Sequence, residues 1–84
     1  MGNVNKLLKK MRENPRDWRI EELETVAHHY GVNVRKGKGS HVVFDHPKWV
    51  ELLCVPAHRP IKPVYIKQFI SLISLLEADN DERT

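Results

Sequence analysis

Apolar positions along this chain change their spacing several times, and each change marks an element. Val4, Leu7, Leu8 and Met11 fall at i, i+3, i+4 and i+7, which predicts a helix over 3–13 with Asn3 as its cap. Lys6, Lys9, Lys10 and Arg12 line its other face. Such a basic amphipathic helix either binds nucleic acid or, more commonly, docks by its apolar stripe and keeps its charges in water. Asn14-Pro15 ends it, because the residue before a proline avoids helical backbone. Ile20, Leu23, Val26, Ala27 and Tyr30 then repeat at helical spacing, which predicts a second helix over 19–30. Glu21, Glu22 and Glu24 sit where the helix dipole favours carboxylates, and Gly31 follows as a terminator. His28 and His29, in the last turn, read as capping or surface groups.

From Val32 the period shortens to two. Strands are expected over 32–35, 40–45 and 51–55, with "KGKG" at 36–39 as a turn whose glycines admit positive φ. Pro47 ends the second strand. The short connections favour an antiparallel meander. "PAHRPIKP", 56–63, is a proline-punctuated loop, and Pro63 suits the first turn of a helix. Ile66, Phe69, Ile70, Ile73 and Leu76 predict that helix from 64 to about 78, with 79–84 fraying as an acidic tail. The fold class expected is α+β: a three-stranded antiparallel sheet with helices packed on one face and an extra N-terminal helix. The other face stays open for binding groups.

Size and charge narrow the function. The 84 residues make one small domain with no deep interior for a large cofactor. Residues 1–76 hold 13 Lys/Arg against 7 Asp/Glu, while 77–84 hold Glu77, Asp79, Asp81 and Glu82 against Arg83. The body is basic, and a basic surface attracts polyanions. The lone Cys54 excludes an internal disulfide. Its apolar run, Leu52 to Val55, predicts a buried, unreactive thiol. The N-terminus lacks the apolar core of a signal peptide, and Lys6 stands where a myristoylation signal needs Ser or Thr. Phe69 to Leu76 is too short to span a bilayer. The expectation is a soluble cytoplasmic chain with no membrane partner.

The stretch that offers chemistry is "GKGSHVVFDHP", 37–47. Turn amides and glycines let a backbone approach a phosphate. Lys36 and Lys38 add charge, Gly39 allows close approach, and Ser40 adds a hydroxyl. His41 carries the one side-chain type that exchanges a proton near neutrality without special help. These groups suit RNA cleavage without a metal: a base takes the ribose 2′-OH proton, the oxygen attacks phosphorus, and an acid protonates the leaving 5′-oxygen. His58, Arg59 and Lys62 are the natural second groups and phosphate contacts. Taken alone, Gly-x-Gly-Ser-His is a weak signal, and a hairpin with an exposed strand histidine explains it better. A site built from His41, His46 and His58 is the metal alternative. No helical His pair and no Cys/His cluster has zinc spacing, so neither metal nor cofactor is expected.

"GSHVVFDHP", then "VPAHRPIKPVYIKQFISLI", with "IEELETVAHHYGVNVRKGKGSH" ahead of them, resembles the HicA-type toxins. These are small bacterial mRNA interferases of type II toxin–antitoxin systems. The resemblance covers about residues 19–76. It implies a fold like that of double-stranded-RNA-binding domains over 18–78, metal-independent cleavage of mRNA, and His41 as the catalytic histidine. It also implies a HicB-type antitoxin that covers the active face. Residues 1–17 are an extension to that pattern. Two other readings stand beside it. One is an RNA-binding module that cuts nothing. The other is a protein-interaction domain using the acidic tail or Trp18 and Trp49 as exposed aromatics.

Overall fold

In the computed structural model, which describes residues 2–82 with side chains over 4–78, six elements follow in the predicted order. They are α1 (Gly2–Glu13), α2 (Ile20–His29), β1 (Asn33–Lys36), β2 (His41–Asp45), β3 (Leu53–Pro56) and α3 (Pro63–Glu82). The strands form one antiparallel sheet in the order β1-β2-β3. The fold is therefore α+β, as the change of period from helical to alternating implied.

Two helix ends differ from expectation. α1 begins at Gly2, so Asn3 lies inside the helix rather than capping it. α3 continues through Asp79 to Glu82, where fraying was expected from residue 79. Neither glycine nor proline interrupts that segment, so nothing in it stops the helix. The remainder of the acidic tail, Arg83 and Thr84, lies outside the described residues.

α2 is bounded as its sequence suggests. The Glu22 carboxylate accepts the Arg19 backbone N–H at 2.9 Å, satisfying a donor that the helix itself leaves unpaired. At the other end Gly31 takes φ +73°. The Val32 N–H then reaches the Ala27 carbonyl at 2.9 Å and the Gly31 N–H reaches the His28 carbonyl at 3.2 Å. These two bonds close a Schellman motif and aim the chain into β1.

Strand register sorts the side chains into two faces. Val34 pairs with Phe44; Phe44 pairs with Leu53 and Val42 with Val55. These five face the helices. Phe44 lies 5.3 Å from the Phe69 ring of α3, and Leu23, Val26, Ile66 and Ile73 complete a fully buried layer. α1 belongs to the same core: Val4, Leu8 and Met11 are buried against α2 and α3. Burying a side chain of this size contributes about 1.5–3 kcal/mol. No polar or charged side chain among the described residues is buried, so any chemistry is done at the surface. None of the described helices is long and apolar enough to cross a membrane.

The other face carries Arg35, Val43 and Cys54 in register. Cys54 is exposed, contrary to the expectation from its apolar run. Strand alternation decides the matter: Leu53 and Val55 point into the core, so the residue between them points out. Trp18 and Trp49 correct a second expectation. Both are buried, not exposed aromatics. The Trp18 indole N–H donates to the Asn14 carbonyl at 2.7 Å, and Trp18 forms an isolated antiparallel bridge with Ile61. The Trp49 ring packs 5.9 Å from that of His46.

Candidate functional site

The site forms where the β1–β2 hairpin meets the loop before α3. His41 opens β2. Its backbone N–H donates to the Lys38 carbonyl at 3.2 Å, and its carbonyl accepts from Gly37 N–H at 2.9 Å. One glycine of the turn needs its freedom: Gly39 has φ +61°. Gly37 does not adopt positive φ, and a Cβ there would make only ordinary contacts. Among the described residues no acceptor takes the amide protons of Lys38, Gly39 or Ser40. The hairpin tip thus presents donors to solvent.

β3 runs beside β2 to the His41–Pro56 pair. One further bond, from the Ala57 N–H to the Ser40 carbonyl at 2.7 Å, carries the chain past the strand end. The loop then passes through a cis Arg59–Pro60 peptide. Ile61 anchors it: this side chain is buried, and its N–H donates to the Trp18 carbonyl at 2.9 Å. Pro63 begins α3 immediately afterwards.

This path brings His41, His58, Lys62 and Tyr65 to the wall of one hollow of about 260 Å³, with Pro56 and Pro60. Two imidazoles, an ammonium and a phenol therefore share a single surface cleft. His41, His58 and Lys62 are exposed and Tyr65 is half-buried. The His41 Nδ1 lies 3.1 Å from the Lys38 carbonyl. A carbonyl only accepts, so the proton of this contact sits on Nδ1. Nε2 is then the nitrogen of the neutral ring that takes a proton.

The other residues singled out from the sequence stand around this hollow rather than in it. Lys36 and Lys38 are exposed on the hairpin, as are Gly39 and Ser40. Lys38 and Ser40 act on the site through their carbonyls. Arg59 faces away: its guanidinium lies 3.8 Å from the Glu21 carboxylate and lines a different hollow with Asp17, Arg19 and Pro60. His46 does not join His41 and His58. It follows the far end of β2, about 16 Å along the strand at 3.3 Å per residue. There its Nδ1 accepts the Lys48 N–H at 3.1 Å. No group of three or more His, Cys, Asp or Glu among the described residues is placed to hold a metal.

Tyr65 was not singled out from the sequence. The available signal was spacing: Lys62 and Tyr65 are three apart across the start of α3, which puts them on one side. Tyr65 also stands outside the stripe of Ile66, Phe69 and Ile73. A larger hollow, about 680 Å³, lies between β3 and α3, but its walls carry one carboxylate, Glu51, and neither an imidazole nor a cation. It lacks a cation to offset charge on a phosphodiester.

No protein-family model, curated protein or solved structure matches the chain.

Proposed function

We propose that the protein is a metal-independent endoribonuclease, an mRNA interferase toxin of the HicA-like kind. It acts in the cytoplasm and is held in check by a HicB-type antitoxin covering the cleft. The observation that supports this best is the meeting of His41, His58, Lys62 and Tyr65 in one hollow. Transesterification at phosphorus needs one group to remove the 2′-OH proton, another to protonate the departing 5′-oxygen, and a cation beside the phosphate oxygens. His41 Nε2 takes the first proton, with Nδ1 anchored on the Lys38 carbonyl. His58 is the second imidazole, and the Lys62 ammonium offsets charge on the phosphorane. The bond formed is 2′-O–P and the bond broken is P–O5′, leaving a 2′,3′-cyclic phosphate and a 5′-hydroxyl. Lys36, Lys38 and the amides of Gly39 and Ser40 grip the neighbouring backbone.

The test is cleavage of single-stranded RNA in excess EDTA by the wild type and by His41→Ala, with growth arrest on expression as the cellular readout. Acid–base catalysis by one side chain is worth about 10²–10⁴-fold, so the variant should lose at least that and stay folded. Equal cleavage by both proteins would remove His41 from the mechanism. Salt-sensitive RNA binding by the wild type without products would instead favour the binding-module reading.

A further inference from the structure

Residues 14–17 lie outside the segment that resembles the toxins, yet with Trp18 they are built onto the cleft. Trp18 pairs with Ile61 of the cleft loop. The turn before it is held by the Trp18 indole on the Asn14 carbonyl at 2.7 Å and by the Arg16 N–H on Asn14 Oδ1 at 3.2 Å. Asp17 takes φ +66°, a left-handed conformation that costs a non-glycine residue energy and persists where the surroundings enforce it. The turn is therefore fixed in shape, and it sets Arg16 beside the cleft loop.

A second hollow of about 520 Å³ opens there, lined by Arg16, Asp17, Ile61, Pro63 and the same Pro60 and Lys62 that wall the histidine hollow. A third, lined by Asp17, Arg19, Arg59 and Pro60, adjoins it. All three hollows have Pro60 in their walls. Together those walls carry four cationic side chains, Arg16, Arg19, Arg59 and Lys62, against one carboxylate, Asp17. Arg59 is already engaged with Glu21. The Arg16 side chain makes no hydrogen bond or ion pair within the described residues, and it is exposed.

We infer that this turn forms a second RNA subsite, in which Arg16 grips a backbone phosphate beyond the one held at Lys62. The inference takes its ligand, single-stranded RNA, from the nuclease reading above, but it concerns binding rather than cleavage. It extends the RNA footprint away from the histidines, toward α1. Asp17, in the wall of the same hollow, offsets part of the attraction, and Arg16 with Lys62 leaves that hollow net positive.

The experiment measures binding to an RNA of about twelve nucleotides, within the length that single-strand sites cover, with every 2′-hydroxyl methylated so that it cannot be cut. A methylated dinucleotide serves as the short probe. Arg16→Gln should weaken binding of the long RNA about fivefold and lower the slope of log K against log salt by about 0.7, the value of one single-strand phosphate contact. It should leave the dinucleotide unaffected. Lys9→Gln removes the same charge from α1, at a residue that walls none of the three hollows, and should change long-RNA affinity less than twofold. Unchanged affinity in Arg16→Gln, an equal loss in Lys9→Gln, an equal loss on the dinucleotide, or no RNA binding by the wild type at low salt would each overturn the inference. The two claims separate cleanly. A wild type that binds with the Arg16 dependence but leaves ordinary RNA intact sinks the nuclease reading alone. One that cuts RNA without that dependence sinks the second subsite alone.

Discussion

The layer beneath the sheet and the cleft at the hairpin end use their residues in opposite ways. Beneath the sheet, Phe44, Phe69, Leu23 and Ile73 are fully buried, and each is fixed by neighbours on several sides. In the cleft, His41, His58 and Lys62 are exposed, and apart from the bond of His41 Nδ1 to the Lys38 carbonyl they are placed by the backbone that carries them. The layer sets where the backbone runs, and the cleft spends that placement on solvent-facing groups. A small domain has little choice, because it has no interior polar position to offer. Stability and the proposed chemistry should therefore separate by residue.

The largest effects test that separation directly. His41→Ala should remove about 10²–10⁴-fold of RNA cleavage while moving the urea midpoint little, since the side chain is exposed. Phe69→Ala should do the reverse, costing about 3–5 kcal/mol of unfolding free energy. That is a large share of the total for a domain of this size, so urea denaturation of Phe69→Ala, read alongside its soluble yield, checks the claim. If His41→Ala unfolded as readily as Phe69→Ala, the cleft would be part of the structural layer and the comparison would fail. Next in size is Lys62→Ala. Loss of one charge-stabilising donor costs up to about 10²–10³-fold in enclosed sites; at this exposed position the expected loss is nearer tenfold in kcat, with stability unchanged.

Gly39→Ala probes the join between the two regions. At φ +61° with open space around it, an added methyl meets no neighbour, so its effect is backbone strain alone, about 1–2 kcal/mol. The same turn supplies the Lys38 carbonyl that holds His41 Nδ1. Cleavage should therefore fall severalfold in Gly39→Ala under conditions where the protein is still fully folded. Gly37→Ala, where no positive φ is needed, should behave nearly as wild type in both assays.

This contrast also explains what could be read from the residues. The helices and strands were legible because apolar spacing is the trace left by burial: Leu23 and Val26, or Phe69 and Ile73, repeat at the period of the element that buries them. His41 stood out because of its motif. The exposure of Cys54 follows from alternation, which the apolar composition of its four-residue run masks. The burial of Trp18 and Trp49 depends on contacts with distant segments, Ile61 in one case and the core in the other. The cleft was half visible for the same reason. His58, Arg59 and Lys62 are close in sequence, yet His58 and Lys62 turn toward His41 while Arg59 turns to Glu21. The loop that carries them is held at Ile61 by distant Trp18, a contact that no local pattern encodes.

The smallest expected effect concerns how α1 is attached. Arg12 bonds both Ser74, at 3.2 Å, and the Glu77 carboxylate, whose other oxygen accepts the Tyr30 hydroxyl at 3.2 Å. On paper this network ties α1, α2 and α3 together. Its members are part-solvated, with side chains 42% and 30% exposed for Arg12 and Glu77, and exposed or half-exposed pairs contribute at most about 1 kcal/mol. Met11, one residue away, is fully buried, and Met11→Ala should cost about 2–5 kcal/mol. Glu77→Gln should therefore lower unfolding free energy by less than about 1 kcal/mol, and 1 M salt should narrow even that gap by screening the wild-type pair. A Glu77→Gln loss as large as that of Met11→Ala would mean that charge, not the apolar stripe, docks the extension. The turn at Arg16 would then be held in place from its polar side rather than from the core.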